Sequence, residues 1–489
     1  VSLWLEGLTT EVASIAAQYH LLNSVPGCAA VFPDDSVDDE ADDAHAALLR
    51  LFGELRELEL TLNTLLGLPP PGLTATLTPV MKRWLDDIRV ELSEWLRRSV
   101  ADDTWRPPTH AAMHSASVID TFTAAQRKLE IFISLKPETV GLVEGLVSVL
   151  SDIAALYIAT VQRAAENILE QTGKLPWSEH GEAYLTAESS LSPAAGGRAA
   201  TLLRNVASVP IAGVKGASEQ VSKGMDKTAG AFKNVMRRAT GQSTQGKASA
   251  GKTASVQVVV TIEGCIRMNN ADAVRTHLNE LLAHLEGAVG EAASAIQVDQ
   301  IHMTFEKLRK DAAALVDIEL NNLMALVEKR LVAAAQLSPP DISGLTALLD
   351  ANVGVLRQHT QPRVFQLCLQ RLWTGVVSSC RYFLVWHNSQ TLDAMARAEI
   401  LDAVLELLHE YFHAEGVGLA ASVRTRIAAN LASVLAFATG STKQLAADDA
   451  GTDLTEAERR RLLTERANAG DSEARRALAV LSKDQKDPS

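Results

Sequence analysis

Apolar residues recur at the spacing of an α-helix along most of this 489-residue chain. The first long series consists of leucines three or four residues apart, a coiled-coil-like seam on one helix face. Its members are Leu48, Leu51, Leu55, Leu58, Leu62 and Leu65. Gly67 and Pro69-Pro70-Pro71 follow, and glycine and proline end helices. The pattern therefore predicts a helix that stops before Gly67.

Capping and breaking residues place the next helices. Thr78-Pro79 fits an N-cap followed by a first-turn proline. The helix that it opens is predicted to bury Trp84, Ile88, Leu92 and Trp95. A second stripe over 118–132 stops before Pro137, and a third helix is predicted from Pro137 to a C-cap at Gly173.

The second half of the chain continues the helical pattern. Asn269 or Asn270 is predicted to cap a helix whose apolar face begins at Val274. Longer helices are predicted over 292–336, over 341–386 with a break at Pro362, and over 420–445. The capping box Thr455-x-x-Glu458 then opens a charged helical tail, which we expect to end in a disordered stretch.

These patterns predict an all-α fold. Hydrophobic residues make up 47% of the chain and aromatic residues 4%, and the one strand-like run, over 256–262, cannot close a sheet. Long antiparallel helices joined by proline-rich breaks form stacked bundles, because each apolar stripe needs a partner. We therefore expect an elongated rod that presents surface and not a deep pocket. The longest apolar tract contains Glu144 and Asp152, so we expect no membrane span.

Charge is distributed unevenly along the chain. The net charge is −13, which argues against binding to nucleic acid. Residues 191–256 carry ten Lys or Arg and two acids, or +8, which leaves −13 − 8 = −21 on the remainder. An asymmetry of this kind indicates an attached module with a partner of its own.

The basic segment has the pattern of an amphipathic helix. On a helical wheel its cations lie opposite a modest apolar face, an arrangement typical of binding to an anionic membrane surface. The candidate membrane-binding residues are Lys215, Lys223, Lys227, Lys233, Arg237, Arg238, Val221, Met225 and Phe232. The alternative is a linker attracted to the acidic body of its own chain.

His409-Glu410-x-x-His413 matches the pattern of zinc metallopeptidases. Two histidines four apart share a helix face and can bind one zinc, with the glutamate as general base. The longer form of the pattern has a third histidine six residues on, where this chain has Leu419. A glutamate ligand on another helix stays an alternative. The favoured interpretation is that the stretch is structural, with no catalytic residue, metal or cofactor.

Several stretches, in order, resemble the MUN domain of the Munc-thirteen (uncoordinated-thirteen) family of vesicle-priming proteins. In the first half they are Trp84-Leu85-Asp86, His114-Ser115-x-Ser117-Val118-Ile119-Asp120-x-Phe122, Leu129-Glu130-Ile131, Cys265-Ile266-x-Met268-Asn269-Asn270 and His277-Leu278-x-x-Leu281-Leu282. In the second half they are Leu348-Leu349-Asp350-x-Asn352-x-x-x-Leu356, Arg371-Leu372-Trp373 and the stretch 411–419. The last one includes the helix end with His413 and its glycine C-cap, and it does not need His409.

The resemblance implies a function without catalysis. It implies the C-terminal part of a MUN domain, a helical rod like the subunits of tethering complexes, which docks and primes vesicles in exocytosis. Its partners would be syntaxin-type SNAREs with their Sec/Munc protein and a synaptobrevin-type SNARE. The location implied is cytoplasmic, peripheral at contacts between plasma membrane and secretory vesicles. The competing classes are the zinc peptidase and a helical adaptor with unrelated partners.

The resemblance also divides the chain and indicates a contact site. The expected segments are an N-terminal bundle (1–110), a first Munc-homology region (111–290, with the basic insertion at about 180–255), a second region (291–450) and the tail (451–489). Where the family often has Asn and Phe as a syntaxin-opening pair, this chain has Gln126 and Leu129. These are the candidate SNARE-binding residues; the alternative for Leu129 is burial within the 118–132 stripe.

Overall fold

The computed structural model describes residues 7–15, 38–66, 73–109, 112–136, 140–175, 257–289, 298–336, 341–386, 394–414, 418–439, 455–468 and 470–484. Helices hold 89% of these residues, and no strand occurs among them. The predicted all-α class is therefore confirmed. The rod-like arrangement of bundles and the four-segment division of the chain stay predictions.

Thirteen helices lie in the described ranges. The first seven are α1 (7–15), α2 (Asp38–Leu66), α3 (Leu73–Ala101), α4 (Ala116–Ser134), α5 (Val140–Thr172), α6 (Ile262–Val289) and α7 (Val298–Ala335). The others are α8 (Ser343–His359), α9 (Pro362–Val385), α10 (Ala394–His413), α11 (Ala421–Thr439), α12 (Glu456–Asn468) and α13 (Ser472–Asp484).

The chain divides into two compact units, of which the first comprises Val1–Glu166 and Ile266–Leu315. In it α3 packs against α2 and α4, and α3 and α4 each bury an apolar stripe at helical spacing. The stripe of α4 consists of Val118, Phe122, Ala125, Leu129 and Phe132, as the sequence predicts. The opposite face of α4 carries exposed polar side chains.

The second unit comprises Asn167–Cys265 and Val316–Ser489. Helix α9 is central to it, because α8, α10, α11 and α12 all pack against this helix. Arg381 of α9 donates two hydrogen bonds of 2.8 Å to the carboxylate of Glu458 in α12. Glu458 also accepts a hydrogen bond of 2.9 Å from the backbone N–H of Thr455, and its own N–H donates to the Thr455 hydroxyl. These reciprocal bonds confirm the predicted capping box.

Helix α5 ends as predicted and is buried. It ends at Thr172, and Gly173 follows with a positive φ of 90°, as the predicted C-cap requires. By length and composition alone, Gly141–Thr172 is the one described helix that could cross a membrane. Of its most apolar stretch 61% is buried inside the structure, as in the core helix of a bundle.

The predicted start of α3 at Thr78 is wrong. The helix begins at Leu73 and contains Pro79. Leu77 and Met81 lie one turn apart and are both buried, so the apolar stripe of this helix starts before the proline. Packing of the stripe therefore holds the turns on both sides of Pro79 in the helix.

Two further predictions, about a helix cap and a buried tryptophan, are also wrong. Helix α6 begins at Ile262, so Asn269 and Asn270 lie inside it and do not cap it. Both amides are buried, where polar partners satisfy them. Trp95 is 46% exposed, because Leu92 and Leu96 already fill the core positions on that side of α3.

Candidate functional site

Helix α4 separates the two candidate SNARE-binding residues. Leu129 has no exposed surface and belongs to the core stripe, which is the alternative expected for it from the sequence, and its part in SNARE binding stays a prediction. The physical reason is spacing, because Leu129 lies four residues after Ala125 and three before Phe132, both of which are buried. Gln126 is exposed, and its Nε2 donates a hydrogen bond of 3.0 Å to Oε1 of Glu130.

Gln126 lies at a cleft of about 370 Å³ between α4 and α6, which we name the α4–α6 groove. The residues that line it recur every three or four positions on each helix, so they form two facing ridges. Ile119 is 36% exposed, which gives the groove an apolar edge. Helix α4 contributes Ile119, Phe122, Thr123 and Gln126, and α6 contributes His277, Glu280, Leu281 and His284.

Aromatic stacking joins the two walls of the groove. The ring of Phe122 lies 5.3 Å from the imidazole of His277, with an angle of 24° between the planes. Nδ1 of His277 lies 3.3 Å from Oε2 of Glu280, one turn further along α6. The groove therefore combines apolar side chains with an amide, a carboxylate and imidazoles, a set suited to holding a peptide segment.

A buried hydrogen-bond network lies in the same unit and holds α6 to the start of α4. Oδ1 of Asn270 accepts a bond of 3.0 Å from the backbone N–H of Ser115. Nδ2 of Asn270 donates to the hydroxyls of Ser115 and Tyr157, at 2.7 and 3.0 Å. The hydroxyls of Ser117 and Tyr157 are 2.6 Å apart. Burial raises the pKa of Tyr157 well above its ordinary value, so this hydroxyl stays neutral within the network.

The resembling stretch around Asn352 bonds to another part of the second unit. Asn352 on α8 is buried, and its Oδ1 accepts hydrogen bonds of 2.8 and 3.0 Å from the backbone N–H groups of Val259 and Val260. Its Nδ2 donates a bond of 3.1 Å to the carbonyl of Gln257. One side chain of α8 thus satisfies backbone groups that a sheet would otherwise have to pair.

The other resembling stretches of the second unit share one core. The hydroxyl of Tyr411 donates a bond of 3.0 Å to Asp350. The rings of Phe412 and Trp373 lie 5.1 Å apart, and both side chains are fully buried. Residues from α8, α9 and α10 therefore meet in the interior of this unit.

The zinc-like pattern lies on α10 in the second unit. The imidazole of His409 meets the ring of Trp373 edge-on, at 4.8 Å between centroids. Burial, and then the charge of Arg424, lower the pKa of His409. Among the described residues no group of three His, Cys, Asp or Glu is arranged to hold a metal ion. His409 packs as a partner of Trp373 in this arrangement.

The glycine C-cap that follows α10 is only partly described. The helix ends at His413, and Ala414 has a positive φ of 46°. The N–H of Gly418 donates a bond of 3.1 Å to the carbonyl of His413, and that of Leu419 donates one of 2.8 Å to the carbonyl of Phe412. Gly418 closes the turn, because a side chain there would overlap the Phe412 carbonyl. Gly416 lies outside the described residues.

The candidate membrane-binding residues lie outside the described residues, so their role stays a prediction. They are Lys215, Lys223, Lys227, Lys233, Arg237, Arg238, Val221, Met225 and Phe232.

Sequence reasoning missed most of the polar residues of the groove. Glu280 and His284 are not among the predicted site residues, and His277 enters only as part of a resembling stretch. The available signal is the spacing of these three residues by three and four positions on one helix, which places them along one side. Nothing in the sequence indicates that this side of α6 faces Gln126.

Comparison with known proteins does not assign the chain to a family. No protein-family model matches it, and no curated protein matches it significantly.

Proposed function

We propose that this chain is a non-enzymatic scaffold of vesicle tethering and priming in exocytosis. It binds syntaxin-type SNAREs together with their Sec/Munc partner, engages a synaptobrevin-type SNARE, and promotes assembly of the SNARE complex. The basis is the resemblance to the MUN domain, and the proposal includes the elongated rod and the cytoplasmic, peripheral location that this resemblance implies.

The observation that carries the proposal is the composition of the α4–α6 groove. Ile119 and Phe122 belong to one resembling stretch, and His277 and Leu281 belong to another. These two stretches lie far apart in the chain, yet both contribute side chains to the surface of one groove. This arrangement supports a binding function that the two stretches share, in addition to packing in the core.

The groove suits an amphipathic helix of a partner. Such a helix lays its apolar face into a groove and meets polar groups at the rim. The exposed side of Ile119 would contact the apolar face of the partner helix. The amide of Gln126 would provide an N–H donor and a carbonyl acceptor for its polar groups. Leu129 acts beneath the surface by fixing α4 in place.

The basic insertion adds a membrane contact to the proposal. Residues 191–256 have a charge of +8, and each Lys or Arg near an anionic bilayer contributes about 1 kcal/mol. We expect peptide 205–240 to bind phosphatidylserine liposomes, to gain helix on binding and to dissociate with salt. Equal binding to neutral liposomes would contradict this part of the proposal.

The test of the function is an assembly assay with purified components. Syntaxin bound to its Sec/Munc partner is mixed with the other SNAREs, and assembly is followed by energy transfer between labelled SNAREs. The proposal predicts faster assembly with the chain than with an unrelated acidic helical protein at equal concentration. Equal rates would refute it.

Metal analysis of the purified chain tests the alternative of a zinc peptidase. A zinc peptidase would carry about one zinc per chain, and His413→Ala would remove that zinc. The proposed scaffold carries no stoichiometric zinc.

A further inference from the structure

Two exposed apolar side chains lie where the basic insertion joins the second unit. Val258 is 54% exposed and Ile262 is 44% exposed, and the two residues are four positions apart. Contact of large apolar side chains with water is unfavourable, so a pair of them at one point of a surface indicates a contact site. The other large apolar residues exposed in the described part of this unit occur singly along the chain. They are Ile168, Met395 and Val480.

Contacts with the core hold the backbone on both sides of Val258. The stretch 257–261 is not helical, and the buried amide of Asn352 bonds to it through the N–H groups of Val259 and Val260 and the carbonyl of Gln257. Val260 is itself buried. The neighbours of Val258 are therefore fixed, and little ordering is needed when a partner covers its side chain.

A helix cap holds the backbone at Ile262. Thr261 precedes α6, and its hydroxyl accepts a hydrogen bond of 3.0 Å from the N–H of Gly264. The carbonyl of Thr261 accepts a bond of 3.1 Å from the N–H of Cys265. Ile262 is thus the first residue of a capped helix, and its exposed side chain projects from a defined backbone.

The chain directly before this pair is strongly basic. Residues 191–256 have a charge of +8, and Lys252 lies six positions before Val258. Six residues span at most about 20 Å, so a lipid head group bound by Lys252 would lie within this distance of Val258. The apolar pair therefore adjoins a segment whose charge suits an anionic bilayer.

The acidic residues near the start of α6 are partly shielded by the protein. Glu263 and Glu319 are both half-buried. The carboxylate of Glu319 packs against the α6 backbone, because a side-chain carbon placed at Gly264 would lie 2.5 Å from its Oε2. Val258 and Ile262 are thus more exposed than the carboxylates beside them.

We propose that Val258 and Ile262 insert into an anionic bilayer beside the basic insertion, so that the second unit contacts the membrane at the start of α6. The inference rests on the membrane contact in the proposed function. Lys and Arg supply the attraction to anionic lipid, and the apolar pair supplies burial in the boundary between head groups and acyl chains. Membrane anchoring is stable when two such signals act together.

The first arm of the test reports the surroundings of position 258 in the full chain. Val258→Cys, combined with Cys28→Ser, is labelled with a polarity-sensitive dye and mixed with liposomes that contain phosphatidylserine. The remaining cysteines are buried and should stay unlabelled. They are Cys265, Cys368 and Cys380. Val480→Cys, also combined with Cys28→Ser, is the matched control, because Val480 is exposed on α13.

We expect the emission of the dye at position 258 to shift to the blue on binding, and spin-labelled lipid to quench it. The dye at position 480 should show neither effect. Equal responses at the two positions would overturn the inference. So would an unchanged signal at position 258 while the chain sediments with the liposomes, and a protein partner would then be the occupant of this surface.

The second arm measures the affinity of the full chain for the same liposomes. The double variant Val258→Ser, Ile262→Ser removes apolar surface without changing charge, and serine is acceptable at the start of a helix. About half of each side chain is still exposed, so the variant should bind at least about tenfold more weakly. Val480→Ser should keep the full affinity.

Salt separates the two contributions to binding. The dependence of affinity on salt should be the same in the unchanged chain and in the double variant, because both keep every Lys and Arg. Equal affinity of the two chains would overturn this inference alone. Absence of binding by the unchanged chain would refute the membrane contact in the proposed function, and this inference with it.

Discussion

Replacement of Asn270 by alanine tests how the two resembling stretches of the first unit are held together. Asn270 has no exposed surface, and its amide bonds to both Ser115 and Tyr157. Asn270→Ala removes the amide without adding bulk. The backbone of α6 should stay helical, because alanine has the highest helix propensity.

The magnitude follows from three hydrogen bonds, with lengths of 3.0, 2.7 and 3.0 Å. Each contributes about 0.5–1.5 kcal/mol net, and the buried N–H of Ser115 loses its acceptor. The hydroxyl of Tyr157 keeps its contact with Ser117, which limits the loss. We expect a decrease of about 2–4 kcal/mol in the free energy of unfolding. For a unit of this size that lowers the melting temperature by about 4–16 °C.

Thermal melting and hydrogen exchange together measure the effect. The exchange of the amide of Ser115 and of the first turn of α4 should accelerate, because these groups lose their attachment to α6. Asn279→Ala on the same helix is the matched control, since Asn279 is half-buried and should change stability by less than about 1 kcal/mol. An unchanged melting temperature in Asn270→Ala would refute the reasoning about this network.

Three further changes test the fold. Leu129→Ala should lower the free energy of unfolding by about 2–5 kcal/mol, measured by chemical denaturation, because the side chain is fully buried; a loss below about 0.5 kcal/mol would mean that it is not core. Gly418→Ala should cost about 1–3 kcal/mol, because the new methyl group overlaps the carbonyl of Phe412; an unchanged melting temperature would contradict this. Burial opposes the ionised form of Glu458, but the bonds from Arg381 and Thr455 prevail and lower its pKa from the ordinary value of 4.5. The stabilisation by this ionised carboxylate is therefore present above about pH 4.5 and is lost as the pH falls through the lowered pKa. In the unchanged chain, amide hydrogen exchange in α12 should therefore accelerate as the pH falls through this range, beyond the intrinsic effect of pH on exchange. Glu458→Gln should remove this acceleration.

Local pattern is sufficient to predict the helices that bury a regular stripe. The spacing of Val118, Phe122 and Ala125 predicts both the existence of α4 and its buried face, and Gly173 marks the end of α5 by its positive φ. The capping box at Thr455 is predictable for the same reason, because its bonds join residues three apart. Interactions within one helix turn are encoded within a few residues of sequence.

Long-range contacts decide where prediction fails. Asn269 and Asn270 resemble helix caps locally, but partners 155 positions away satisfy the amide of Asn270 inside a helix. Trp95 falls at the edge of the α3 stripe, and only the neighbouring elements decide that it stays exposed. The position of the groove cannot be predicted for the same reason. Its two walls belong to α4 and α6, and local sequence patterns do not indicate that these two helices lie next to each other.

The assembly rate of SNAREs with Gln126→Ala tests the central proposal most directly. Gln126 is exposed, so the change should leave stability within about 0.5 kcal/mol, and Gln300→Ala at an exposed position of α7 is the matched control. Loss of one hydrogen bond to the partner, worth about 1 kcal/mol, should slow assembly about fivefold at unchanged melting temperature, while Gln300→Ala keeps the full rate. An unchanged rate with Gln126→Ala would contradict the account, because the groove would then play no part in SNARE assembly.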